Sequence, residues 1–107
     1  MTTPDGRDPG VGDLEPVRVA DHPDRSRVEV WVGDVRAGFA AYRRSAGRIV
    51  FTHTVVDEAF GGRGLGGRLA AGALDIARAG GDTVVARCPF IAAYIARHPD
   101  YQDLLHR

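Results

Sequence analysis

The chain has 107 residues, the size of one domain, and 44% of them are hydrophobic, which is ordinary for a globular protein. Acids and bases balance at 14 each, and this excludes a nucleic-acid binder driven by bulk charge. Cys88 is the only cysteine, so no internal disulfide can form, and the composition suits a reducing cytoplasm.

Residues 1–16 are polar and dominated by Thr, Pro, Asp and Gly, so they read as a flexible tail ahead of a domain over residues 17–107. They do not form a signal peptide, and no long apolar run follows. A soluble cytoplasmic protein without membrane or nucleic-acid partners is expected. Val17–Ala20 reads as a short edge strand. Arg27–Val32 alternates, with Val28, Val30 and Val32 on one face and Arg27, Glu29 and Trp31 on the other, as in a half-buried strand. Gly33-Asp34 is a turn, Val35–Arg44 the next strand, Ser45-Ala46-Gly47 another turn, and Arg48–Val56 a long β-branched strand. Together they predict an antiparallel meander.

The period then changes. Leu65, Leu69, Ala73, Ile76 and Ala77 recur at helical spacing over Leu65–Ala79, and Gly80-Gly81 ends that helix. Thr83–Arg87 is a short strand. Reached through a helix, it should lie parallel to Arg48–Val56 with a right-handed crossover. Cys88-Pro89 stops it, Phe90–Arg97 forms a second helix, and His98-Pro99 breaks that helix before a last turn over Asp100–His106. The expected class is α/β, an α+β mixed sheet with one βαβ crossover.

Between the long strand and the first helix stands Gly61-Gly62-Arg63-Gly64-Leu65-Gly66-Gly67. Five glycines in seven residues make sense where the backbone needs φ > 0 or where a ligand approaches it closely. Bare N–H groups at a helix start form a partly positive cradle, and Arg63 and Arg68 add full charges beside it. The simplest ligand is a pyrophosphate.

Gly62, Gly64 and Gly67 match the dinucleotide pattern G-x-G-x-x-G. Asp57–Phe60 intervene between strand and loop, however, and the next strand ends in Arg87-Cys88 rather than in an acid. A Walker A loop needs a lysine, and the chain has none: all 14 bases are arginine. Asparagine is absent too, so codon bias explains the missing lysine more simply than an enzyme that avoids carrying its own target.

The loop resembles the Arg/Gln-x-x-Gly-x-Gly/Ala signature of the GCN5-related N-acetyltransferases, with Gly61 in place of the usual Arg or Gln. Thr52-His53-Thr54, Arg87-Cys88-Pro89-Phe90-Ile91-Ala92-Ala93-Tyr94-Ile95 and Arg97-His98-Pro99-Asp100-Tyr101 are similar to the small, single-domain YjdJ-type branch of that superfamily. The similarity spans roughly residues 17–107.

The resemblance implies a fold in which acetyl-CoA lies between two splayed parallel strands, here Arg48–Val56 and Thr83–Arg87. Backbone groups of Val55 and Val56 would pair with the pantetheine amides. Amides from Gly61, Gly62, Arg63, Gly64, Leu65, Gly66 and Gly67 would hold the pyrophosphate, with Arg63 or Arg68 on a phosphate and Tyr94 facing the cleft. Arg97 would stand near the adenine end. No metal is implied.

The chemistry would be direct acyl transfer to a primary amine, a protein lysine among the acceptors. Many relatives carry a strand glutamate as base, and Val55 stands in its place. His53 is the imidazole on that strand, and Asp57 and Glu58 lie just beyond it. Cys88 is a second catalytic candidate, as acyl carrier or as acid to the departing sulfur. The resemblance also implies an open acceptor groove, because the extra N-terminal helices of larger relatives are missing. A non-catalytic CoA or acyl-CoA module, a fold kept for interaction alone and a nicotinamide binder are the competing readings.

Overall fold

A computed structural model describes residues 16–105; the expected tail up to Glu15, and His106, lie outside the described residues. Five strands form one sheet in the order β1 (Val17–His22), β2 (Arg27–Val32), β3 (Val35–Ser45), β4 (Arg48–Val56) and β5 (Thr83–Ala86). The first four pair antiparallel with their chain neighbours, and β5 pairs parallel with β4. Two helices, α1 (Leu65–Ala79) and α2 (Pro89–Arg97), and short 3-10 turns at Pro23–Arg25, Glu58–Phe60 and Pro99–Leu104 complete the chain. The β5 strand ends one residue short of the expected Arg87, and the first turn was not foreseen.

The valine alternation of β2 has its expected effect. Val28 and Val30 are fully buried and Val32 nearly so, and they join Ala40, Ile49, Phe51 and Val84 against Leu69, Ala70, Ala73, Leu74 and Ala77 of α1. Each large apolar side chain sunk here contributes roughly 1.5–3 kcal/mol. Helix α2 adds Ile91 and Ile95 to the same core cluster. The α1 stripe drifts by one residue from expectation, since Leu74 is fully buried and Ile76 only half-buried.

Gly80-Gly81 closes α1 as a paired cap. The Asp82 N–H donates to Ala77 O, the Gly81 N–H donates to Arg78 O, and Gly81 takes φ +73°. The last turn is tied back to α1: Arg78 bonds Asp103 at 3.0 Å, and the Tyr101 hydroxyl donates to Asp75 at 2.9 Å. At Gly38 a β-carbon would collide with the Val55 carbonyl of β4. Gly38→Ala is therefore expected to lower stability by about 1–3 kcal/mol in urea unfolding, the usual cost of overpacking.

Candidate functional site

Two local features part β4 from β5. The parallel ladder ends at Phe51 and Ala86, where the Phe51 carbonyl accepts from both Arg87 N and Cys88 N at 3.0 Å. The next residue, Pro89, has no N–H to continue the ladder, and its fixed φ suits the first position of α2. On the other side the β3–β4 register slips between Ala41/His53 and Tyr42/Phe51, which makes Thr52 an inserted residue. Such a bulge bends its strand. From His53 to Val56, β4 keeps its β3 partners, and from Thr52 onward it has no partner in β5. The parallel pair is present, and β4 runs five residues past the end of its ladder with β5, which leaves the pair open at that end.

Cys88 sits at the vertex of this gap. It is the N-cap of α2, only 2% exposed, and its Sγ lies 3.3 Å from Thr54 Oγ1. His53 lies on the opposite face of β4. It is exposed, meets the Phe39 ring edge-on at 5.9 Å and has Thr52 Oγ1 3.3 Å from its Nδ1. The two catalytic candidates therefore flank the strand from opposite sides.

Val55 is 45% exposed on the His53 face, and its carbonyl oxygen abuts Gly38 of β3. Backbone groups of successive residues alternate between strand edges, so the free edge beside the gap falls to Val56 and Thr54. Asp57 is engaged: its Oδ1 accepts from Ala59 N at 2.9 Å and caps the 3-10 turn at Glu58–Phe60. Glu58 is exposed.

The glycine loop follows directly. Gly62 and Gly64 take φ +80° and +72°, and a β-carbon on either would meet nothing within 4 Å. Gly64 is the N-cap of α1, with no side-chain cap and no acid in the first turn. Among the described residues nothing accepts from the amides of Gly62 to Gly67. The Arg63 guanidinium lies 5.3 Å from the Phe60 ring, while Arg68 is exposed on α1. Phe90 and Tyr94 of α2 edge the first turn: a β-carbon on Gly66 would stand 2.8 Å from Phe90 Cζ, and one on Gly67 3.8 Å from Tyr94 Cε2. Tyr94 stacks on His98 with ring centroids 3.9 Å apart. Unused amides, left-handed glycines and open space suit a diphosphate.

Glu29 is the residue whose place the alternation pattern missed. It stands on the helix-free face of the sheet, yet it is 2% exposed. Its carboxylate takes bonds from Arg27 Nε at 2.7 Å and Trp31 Nε1 at 3.1 Å, with His22 Nε2 at 3.0 Å and an Arg36 nitrogen at 3.4 Å. Burial pushes its pKa up, but the Arg27 and Trp31 bonds and the His22 and Arg27 charges outweigh that and hold it below the ordinary 4.5. A folded-state pKa below the unfolded one stabilises the fold above pH 4.5, and this contribution is lost as the pH falls through the lower folded value. Glu29→Gln should flatten that acid-side slope in urea melts taken above and below this pH.

The family model described as GCN5-related N-acetyl-transferase matches residues 27–104. These residues run from β2 to the last turn and include the glycine loop, His53 and Cys88. No curated protein matches the chain.

Proposed function

Because the chain belongs to the GCN5-related N-acetyltransferase family, we propose that it moves an acetyl group from acetyl-CoA to a primary amine by direct attack, a protein lysine being the acceptor class in view. The carrying observation is the gap that opens at Phe51, with the unused amides of Gly62 to Gly67 beside it. Bound acetyl-CoA would supply an activated carbonyl and a thiolate leaving group.

The residues of this chain divide the remaining tasks. The loop amides and Arg63 hold the diphosphate. Val56 and Thr54 present the free strand edge to the pantetheine amides. A lysine amine, pKa ~10.4 in water, must shed a proton before it attacks. His53 receives that proton on the open face. The amine nitrogen then bonds to the carbonyl carbon while the carbon–sulfur bond breaks. Cys88, on the helical side, gives its proton to the departing sulfur, and the second proton that the nitrogen sheds as the amide forms restores the Cys88 thiol.

A CoA-binding module without turnover is the second reading. The observation in its favour is Val55, which leaves the strand without a carboxylate, while Asp57 serves as a turn cap. Titration calorimetry with CoA, run with an acetyl-transfer assay over a panel of amines, separates the two. Binding with turnover of at least one amine is expected. Tight binding with no turnover installs the module, and a thermal shift with a nicotinamide dinucleotide but not with CoA discards both.

A further inference from the structure

All described helices pack on one side of the sheet, and among the described residues nothing covers the other. Arg18, Arg27, Glu29, Trp31, Arg36 and Phe39 lie there side by side, as the register sets Arg18 opposite Trp31, Trp31 opposite Arg36 and Glu29 opposite Phe39. Two of the three arginines, Arg27 and Arg36, thus share one carboxylate, and that carboxylate is sunk beneath them. Arg18 is exposed and has no carboxylate within ion-pair distance among the described residues. The Arg36 side chain is 42% exposed and reaches Glu29 only at 3.4 Å. The face carries surplus positive charge although the chain as a whole is neutral.

The patch is continuous with the gap. Arg36 and Phe39 line a shallow cleft of about 120 Å³ together with Ala37, Gly38, Val55 and Asp57. Phe39 also meets His53 edge-on. Asp57 is the one carboxylate in the cleft, and it is held in its turn. The glycine loop and Cys88 approach the gap from the helical side, so the bare side is the remaining approach to it.

We infer that this bare sheet face docks an acidic stretch of polypeptide, which makes the acceptor a lysine carried among Asp and Glu residues. The inference rests on the acetyl-transfer reading for the fate of that lysine. Arginine forks match carboxylates in bidentate fashion, and a like-charged partner would be rejected. A nucleic acid is disfavoured because the rings it would stack on are taken. Arg18 lies 5.1 Å over the Trp31 ring, and Arg27 and Arg36 lie 4.9 Å and 5.9 Å over Phe39.

Trp31 is the only tryptophan of the chain and lies within the patch, so its fluorescence reports docking independently of catalysis. The full chain is titrated with two equally long peptides, each with one lysine, flanked by Asp and Glu in one and by Ser and Gly in the other. The acidic peptide should change the Trp31 emission and bind about tenfold tighter, an advantage that shrinks as salt is raised. The double variant Arg18→Gln/Arg36→Gln should lose that advantage, and circular dichroism checks its fold. Equal binding of both peptides, an undiminished preference in the double variant, or tighter binding of a thymidine oligonucleotide of equal charge overturns the inference. Docking without acetylation of the lysine keeps the surface and removes the transfer reading. Equal acetylation of both peptides with unchanged Trp31 emission does the reverse.

Discussion

Gly64→Val is expected to abolish the thermal shift that CoA confers, whereas Gly47→Val leaves it intact. Both glycines sit in the left-handed region, at φ +72° and +73°, and neither has a neighbour within 4 Å of a β-carbon. Each substitution costs about 1–2 kcal/mol of backbone strain, and more for a β-branched residue. The pair is thus matched in strain and differs in place. Gly47 turns the β3–β4 hairpin, far along β4 from the gap, while Gly64 opens α1 at the unused amides. A valine at residue 64 stands in the space through which a diphosphate must approach. Loss of two charge-assisted hydrogen bonds at about 1.5 kcal/mol each already weakens binding more than 100-fold. Isothermal titration of both variants is the check. Retained CoA affinity in Gly64→Val would take the loop out of the site.

Cys88→Ser should lower kcat by about 100-fold, the usual contribution of a positioned acid, with CoA affinity unchanged. The fold has little reason to fail. Serine is smaller than cysteine, it favours the N-cap position that Cys88 holds, and its hydroxyl can accept from a first-turn amide of α2. Cys88 makes no side-chain cap bond of its own. Its neighbour is the Thr54 hydroxyl at 3.3 Å, which serine still reaches by a small shift. A single-turnover assay with acetyl-CoA and an amine measures the step directly. Wild-type rates in Cys88→Ser exclude a thiol in the reaction and reduce Cys88 to a wall of the gap.

Where one residue type dominates a local decision, the fold was legible. Val28, Val30 and Val32 can share a face only in a strand, and the stripe from Leu65 to Ala77 only in a helix. Pro89 announces the end of β5, because it cannot donate to a ladder. Gly81 announces the end of α1, because the cap needs a left-handed residue there. Other features arise from several residues acting at once. The bulge at Thr52 has no single-residue signature, yet it decides which side chains of β4 face the helices. For that reason alternation alone could not place His53 and Cys88 on opposite sides. The burial of Glu29 was equally hidden. Arg27 and Trp31 flank Glu29 on its own strand, but Arg36 and His22 come from β3 and β1, and only the pairing of the three strands brings all four over one carboxylate. Within the site, the glycine loop was readable as a motif. The orientation of the Val55 carbonyl was not, since it depends on the register against Gly38.

The order of strands in the sheet repeats their order along the chain. Each antiparallel partner is the next segment to be synthesised, so four of the five strands can zip together hairpin by hairpin at little loop-closure cost. Among the strands, only β5 demands a long-range closure, across the whole of α1. That late step also builds the vertex at Phe51 and Cys88. The last part to assemble rests on a ladder of four residue pairs, which makes it the natural unit of sub-global opening. Amide protons of β5 should therefore exchange sooner than those of β2 and β3, and whatever fills the gap will slow them first.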